Sequence, residues 1–393
     1  MQSIKFYSKF ILLGLLECYF ISANPNLQKR QENINLDTWK KFEYTLSAPR
    51  SRLAGASAGN MLLFAGGIDS AGESSEIVDL YNASNGALTT ARLSSPRSEI
   101  GSSSFLNNRY AIFAGGIGKN VTVSSSIDIY DSETGTWILK NLSEARANPR
   151  VLDLGNRLVI YGGNILKSPY LSRTIDILDA SFNLSSQTES VLDYPQLGAS
   201  ASGVDRSTGM IMGGYENQNP NNRFSKLVAS SQTLYIQNLD WTDRLFVVPG
   251  PVLEAPRWEA SAAYANSQFI FAGGYIINAN KEVASNRIDV FDYSTFRWSN
   301  QTLTLNSARF SIYSGTIKNH VLFWGGSESK MLDVYNSVER KMVNPIPESL
   351  FMNGPRYEAG QATLNNCLFA VGGGFDSNGE KITNLVEVIN ACN

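Results

Sequence analysis

Pro96 to Trp137 reads PRSEIGSSSFLNNRYAIFAGGIGKNVTVSSSIDIYDSETGTW, and the rest of the chain repeats its plan. An arginine leads into a strand of small residues. A second, apolar strand follows and stops at Gly115-Gly116. After a polar loop comes the phrase Ile127-Asp128-Ile129-Tyr130-Asp131, then a turn and Trp137. The Gly-Gly landmark occurs seven times, starting at Gly66, Gly115, Gly162, Gly213, Gly273, Gly325 and Gly372, with gaps of 49, 47, 51, 60, 52 and 47 residues. A recurring period near 50 marks a repeat array, in which one supersecondary unit is copied and neighbours bury each other's faces.

The other landmarks keep phase with the glycines. An arginine stands 16 residues before the pair at Arg50, Arg146, Arg257, Arg309 and Arg356, and 18 before it at Arg97. After each pair the apolar-polar-apolar phrase returns as IVDLYN, IDIYD, IDILD, IDVFD, LDVYN and LVEVIN, beginning at Ile77, Ile127, Ile175, Ile288, Leu332 and Leu385. The fourth repeat lacks the arginine, having Leu197 there, and offers only Thr233-Leu234-Tyr235-Ile236 as a weak third strand. Its gap is the longest, with YENQNPNNRF after the glycines and LDWTDRLFVVPGPVLEAP before the next repeat. Extra length of this kind is expected in loops, where insertions carry function more often than core changes do. The set of Arg, Gly-Gly, Tyr-Asp and Trp resembles the kelch repeat, whose unit is a four-stranded propeller blade. The resemblance covers residues 36–393 and implies an all-β, seven-bladed kelch-type β-propeller with four antiparallel strands per blade. A WD-type array is disfavoured, because the period is too long and no Trp-Asp pair ends the units.

The two ends of the array complement each other. Leu36 to Arg50 (LDTWKKFEYTLSAPR) matches the end of the fifth repeat, where Trp298 precedes Arg309 by the same 11 residues that separate Trp39 from Arg50. The chain therefore starts with an outermost strand, whereas the seventh repeat stops after its third. The N-terminal strand is expected to complete that last blade. Cys367 opens the second strand of the same blade and Cys392 ends its third. Antiparallel neighbours bring those ends together, so a Cys367–Cys392 disulfide is expected, closing a loop worth roughly 3 kcal/mol.

The N-terminus reads as an export signal over 1–23. Lys5 and Lys9 precede the apolar run Phe10 to Leu16, and Ile21-Ser22-Ala23 is a usable cleavage site. Residues 24–35 are polar and aperiodic, a flexible leader holding the dibasic pair Lys29-Arg30. Five Asn-X-Ser/Thr sequons, at Asn82, Asn120, Asn141, Asn183 and Asn300, fall in turns and polar loops and suit a secreted glycoprotein. Charged residues are 17% of the chain, below the usual ~25%, and the net charge is −2. That balance argues against nucleic acid or an anionic membrane as partner. No later stretch has the length of a membrane span.

Chemistry is constrained mainly by what the chain can supply. Kelch-like propellers include the copper radical oxidases, which resemble one another in using two histidines and a cysteine cross-linked to tyrosine. This chain has a single histidine, His320, expected in the turn before a second strand. One imidazole cannot build such a copper site, nor a His-based zinc site or a Ser-His-Asp triad. No cofactor, metal or catalytic residue is assigned. Binding residues are carried over by register instead. Two positions past each motif arginine stand Arg52, Glu99, Asn148, Ala199, Glu259, Ser311 and Glu358, a polar collar around the channel if strand alternation holds. Trp258 and Tyr357 flank two of its acids. The loops after the glycines supply Tyr215 with Glu216, Asn217 and Gln218, and Tyr275. Aromatic faces beside carboxylates and amides suit a sugar ring or a cationic peptide.

The function expected is a secreted, non-catalytic, monomeric propeller binding a glycan or an extracellular protein through this face. Two alternatives stand beside it. One is a carbohydrate-active enzyme of the epimerase or mutarotase kind, since some kelch-like propellers act on sialic acid and carboxylates can serve as acid and base. The other is a structural protein of the cell wall or matrix.

Overall fold

The apolar pentapeptides ahead of the Gly pairs form strands buried on both faces. Tyr110–Ala114, Gln268–Ala272 and His320–Trp324 are buried at every position. A strand with no wet face must have sheets on both sides, and that requirement organises the molecule. The computed structural model describes residues 35–167, 171–184, 200–203, 208–214, 231–239, 242–278, 281–376 and 381–392, with the main chain alone over 200–202, 231–239 and 242–248. Residues Asp37–Asn393 form one unit.

Each repeat folds into a small antiparallel sheet whose strands follow chain order from the inside out. The first is Ala54–Ala58, Met61–Ala65, Ile77–Asn82 and Leu88–Arg92; the second is Gly101–Phe105, Tyr110–Ala114, Ser126–Asp131 and Thr136–Asn141. The innermost strands abut in a closed cycle, from Gly360–Leu364 through Ala54–Ala58, Gly101–Phe105, Arg150–Asp153, Ser200–Gly203, Ser261–Ala265 and Tyr313–Ile317 back to the start. This is a β-propeller arrangement. Six sheets have four or five strands, whereas the third repeat contributes three, Arg150–Asp153, Arg157–Tyr161 and Ile175–Asp179. Against the expectation of seven four-stranded blades, five sheets have four strands, that of the fifth repeat has five and that of the third has three, so six sheets reach a full blade among the described residues.

Apolar side chains from consecutive sheets interlock. Leu63 and Val78 of the first sheet pack with Ala111 and Phe113 of the second. Ile112 and Ile129 of the second pack with Leu158 and Ile160 of the third. The core is therefore a series of layers between blades. Truncating a fully buried member such as Phe113 would cost about 3–5 kcal/mol. Small residues on the inner strands follow from crowding there: a Cβ on Gly101 would lie 2.3 Å from the carbonyl oxygen of Pro149 in the next repeat.

The closing strand is where the sequence places it. Lys40–Thr45 pairs antiparallel with Leu385–Asn390, from Lys40 opposite Asn390 to Thr45 opposite Leu385. Tyr44 also stacks on Tyr81 of the first sheet, with ring centroids 4.3 Å apart. Cys367 and Cys392 form a disulfide with their Cα atoms 5.0 Å apart, at the edge where this last sheet begins and ends.

Three expectations need correction. The fourth repeat does not carry all its extra length in loops. Ser231–Leu239 and Thr242–Pro249 form the longest hairpin among the described residues, so the segment read as an insertion before the next repeat supplies that sheet's outermost strand. His320 is no turn residue. It opens the strand His320–Trp324, is 3% exposed, and meets Trp39 edge-on at 6.2 Å. In the last repeat, which reads Gly372-Gly373-Gly374, the pair with left-handed φ is Gly373-Gly374, one residue later than the first glycine of the run.

Candidate functional site

The link that enters each innermost strand is fixed by the motif arginine. Arg50, Arg97, Arg146, Arg257 and Arg309 have no solvent exposure, and Arg356 has almost none. Each guanidinium reaches the third strand of its own sheet and pairs with the acid in the recurring phrase: Asp79, Asp128, Asp176, Asp289, Asp333 and Glu387 respectively. The distances are 2.5 Å for Arg146–Asp176 and 2.6 Å for Arg309–Asp333. Desolvation pushes every one of these arginines below the ordinary guanidinium range, and the paired acid opposes that shift.

The main chain of the same arginine bonds the neighbouring blade. The carbonyl of Arg97 accepts from the N–H of Gly67 at 2.9 Å, and that of Arg146 from Gly116 at 2.9 Å. A Cβ on Gly66 would lie 2.4 Å from the Arg97 carbonyl oxygen, and its φ of +65° is one that glycine adopts freely. The arginine is thus a staple, its side chain in one blade and its carbonyl against the one before.

The residue after the arginine pairs with the residue after the Gly pair: Ser51 with Ile68, Ser98 with Ile117, Ala147 with Asn164, Trp258 with Tyr275, and Tyr357 with Phe375. The chain then turns sharply. Arg52, Glu99, Asn148, Glu259, Ser311 and Glu358 all have φ between 50° and 53°. These collar positions are therefore left-handed turn residues ahead of the strand, and strand alternation does not place them. None is glycine, so each bears a backbone cost on the order of 1 kcal/mol.

The turn brings the collar residues into contact with one another. The N–H of Arg52 donates to the carbonyl of Glu358 at 2.7 Å, that of Glu99 to Arg52 at 3.2 Å, that of Asn148 to Glu99 at 2.8 Å, and that of Ser311 to Glu259 at 3.2 Å. Side chains repeat the pattern. Arg52 donates through Nε to Glu358 Oε2 at 2.8 Å and through Nη1 to Glu99 Oε1 at 3.2 Å. Asn148 Nδ2 donates to Glu99 Oε2 at 2.9 Å, and Ser311 Oγ to Glu259 Oε2 at 2.9 Å. Glu358, Arg52, Glu99 and Asn148 thus form one continuous network, with Glu259 and Ser311 as a second.

Burial raises the carboxyls of Glu99 and Glu259 above the usual range. For Glu99 the Arg52 guanidinium opposes the shift and Glu358 adds to it; for Glu259 the Ser311 hydrogen bond opposes it and Glu358 adds to it.

Aromatic rings line the same level. Trp258 stacks on Tyr275 at 5.1 Å, and Tyr275 on Phe310 at 3.9 Å. Tyr357 stacks on Phe375 at 5.6 Å. Phe310 and Phe375 escaped the sequence reading, although register names both: Phe310 follows its arginine as Trp258 and Tyr357 do, and Phe375 follows its glycines as Tyr275 does. The acidic partners of the arginines escaped it too, although they recur in phase. Tyr215, Glu216, Asn217, Gln218 and Ala199 lie outside the described residues.

No family model matches the chain, and no curated protein sequence matches it. Among solved structures, the one described as "Structure of YjhT" matches with a TM-score of 0.53 at 14% identity, over 87% of this chain and 95% of that one. At that identity the likeness is one of fold.

Proposed function

We propose that this chain is a secreted, monomeric, kelch-type propeller of seven blades that binds a glycan or an extracellular protein through the collar face. The closed cycle of inner strands supports the blade count, with the three-stranded sheet of the third repeat as a full member. The in-phase arginine, glycine pair and acid support the kelch reading. The Cys367–Cys392 disulfide suits an oxidising compartment. So do the sequons, of which Asn120, Asn141, Asn183 and Asn300 are exposed, while Asn82 is half-buried. An apolar signal over 1–23 and a leader over 24–35, with processing at Lys29-Arg30, complete the export reading.

One observation carries the binding assignment. Six non-glycine residues hold the same left-handed turn, and four of them, Glu358, Arg52, Glu99 and Asn148, bear charged or amide side chains joined in one network, while Glu259 with Ser311 stands beside stacked aromatics. Strain kept at equivalent positions is characteristic of sites held for use. The test is a glycan array together with a pull-down from extracellular fluid, comparing the wild type with Glu259→Ala and Tyr275→Ala. Loss of the captured ligand in either variant supports the assignment; full retention in both ends it.

A second reading, a sugar epimerase or mutarotase, draws on the carboxyls of Glu99 and Glu259, which burial raises above the usual carboxylate range and which could serve as acid and base. NMR of free sugars incubated with the protein separates it from binding. Anomeric or epimeric exchange faster than in buffer favours the enzyme.

A further inference from the structure

The collar is not evenly charged. On the side of the first three blades Arg52 lies between Glu358 and Glu99, and Glu99 also takes Asn148. On the side of the fifth and sixth blades the acids outnumber the cations, Arg150 being the one cation among the described residues that acts on Glu259. Glu259 is held by the Ser311 hydroxyl, and Glu259, Glu282 and Glu328 form no ion pair among the described residues. Desolvation pushes the Tyr275 hydroxyl well above the ordinary phenol range, and all three carboxylates add to that shift. Tyr275 is the middle ring of the Trp258–Tyr275–Phe310 stack, so carboxylates and aromatic rings occupy one spot.

That spot stands at the base of a projecting hairpin. Tyr275–Asn278 pairs with Lys281–Ala284, and two aliphatic side chains on it, Ile277 and Val283, are 40% and 42% exposed.

We propose that this sector docks a partner polypeptide that inserts a lysine or arginine side chain against Glu259 and the aromatic stack, while its apolar neighbours cover Ile277 and Val283. The proposal rests on reading the collar as a binding face and specifies which chemistry that face accepts. Charge complementarity selects a cation: Glu259, Glu282 and Glu328 together exceed the charge that Arg150 brings to Glu259, and ring faces attract ammonium and guanidinium groups. The aliphatic hairpin selects a polypeptide over a sugar, because Ile277 and Val283 offer apolar area and no hydrogen bonds. Glu259, which faces Arg150, Glu358, Glu282 and the Tyr275 hydroxyl besides Ser311, binds the cation in its charged form, so acid weakens the complex as that carboxyl takes up its proton.

The experiment measures fluorescence anisotropy of labelled hexalysine and hexaglutamate peptides with the intact protein at 0.15 M salt, where surface attraction beyond about 8 Å is screened. Hexalysine is expected to bind and hexaglutamate not to. The triple variant Glu259→Gln/Glu282→Gln/Glu328→Gln is expected to bind hexalysine at least tenfold more weakly. A variant with the same net charge, Glu43→Gln/Glu133→Gln/Glu348→Gln, is expected to bind as the wild type does. Equal weakening in both variants would reveal general attraction and overturn the proposal, as would absence of hexalysine binding. A neutral glycan lost on Glu259→Ala, with no response to hexalysine, would overturn the cation and leave the collar assignment standing. Thermal melting of each variant confirms that it is folded.

Discussion

Replacing Asp128 with alanine isolates what the staple contributes. The carboxylate is 4% exposed and takes three hydrogen bonds: one from the buried Arg97 guanidinium, one from the Ser94 N–H at 2.9 Å and one from Ser94 Oγ at 3.0 Å. Its removal strands a guanidinium that has no access to water. Breaking one side of such a pair costs about 3–5 kcal/mol, and the orphaned Ser94 N–H adds roughly 1–3 kcal/mol where water cannot replace its acceptor. The attraction within an intact pair is largely offset by the cost of burying both charges. The double variant Arg97→Met/Asp128→Leu, which removes both charges and keeps the volume, is therefore expected to lose less than half as much as Asp128→Ala alone. Urea unfolding followed by tryptophan fluorescence measures this, since Trp137 in the same sheet packs on Tyr130 at 5.3 Å. Glu133→Ala, whose acid side chain is 63% exposed against Arg109, serves as control and should move stability by less than about 1 kcal/mol. A loss below about 1 kcal/mol for Asp128→Ala, or a double variant as damaged as the two singles combined, would refute the staple as a buried, mutually dependent pair.

Three further outcomes follow from the same geometry. Reducing the Cys367–Cys392 disulfide, or replacing both cysteines with serine, should cost about 3 kcal/mol, measured by thermal or urea unfolding with and without reductant. The Glu259 carboxyl is raised by burial, so its charged form is disfavoured in the folded chain and the penalty is present at neutral pH but absent below its unfolded value near 4.3. Glu259→Gln should accordingly raise the melting temperature at pH 7 and leave it unchanged at pH 4; an equal shift at both would point to packing. His320 is lowered by desolvation, with Lys318 adding and Glu339 opposing, so stability should fall as pH drops below about 6.5, and a His320→Phe variant should show a shallower acid slope over pH 5–6.5.

The ring was legible because its period is carried by residues that cannot be exchanged. Gly66 meets a carbonyl where any Cβ would collide, and Arg97 fills a buried position that only an acid across the blade can satisfy. The closing strand was legible for the same reason, since Trp39 keeps the spacing of Trp298. The collar was found by register and misjudged in conformation, because φ near +50° at Arg52 or Glu358 leaves no trace when the residue is not glycine. His320 looked like a turn residue because Lys318 and Asn319 precede it. Its burial comes from Trp39, nearly 300 positions away in the chain, and no local pattern announces such a partner. The fourth repeat misled by lacking the arginine, whereas its hairpin is set by pairing from Gln232 opposite Pro249 to Leu239 opposite Thr242.

The acid of the last blade has a second duty. Where other repeats have aspartate, Glu387 reaches Arg356 at 2.6 Å and also Lys41 of the closing strand at 2.9 Å, tying the earliest-made strand to the latest. During synthesis Lys40–Thr45 must wait for Leu385–Asn390, on the order of half a minute at usual elongation rates. Until then both strands present unpaired edges, and another copy's N-terminal strand fits the vacancy as well as its own. Crowded nascent chains are therefore exposed to exchange of this one strand between molecules, and because an exchanged strand brings the same lysine to Glu387, it is the higher effective concentration of the chain's own strand that favours the self-contained ring.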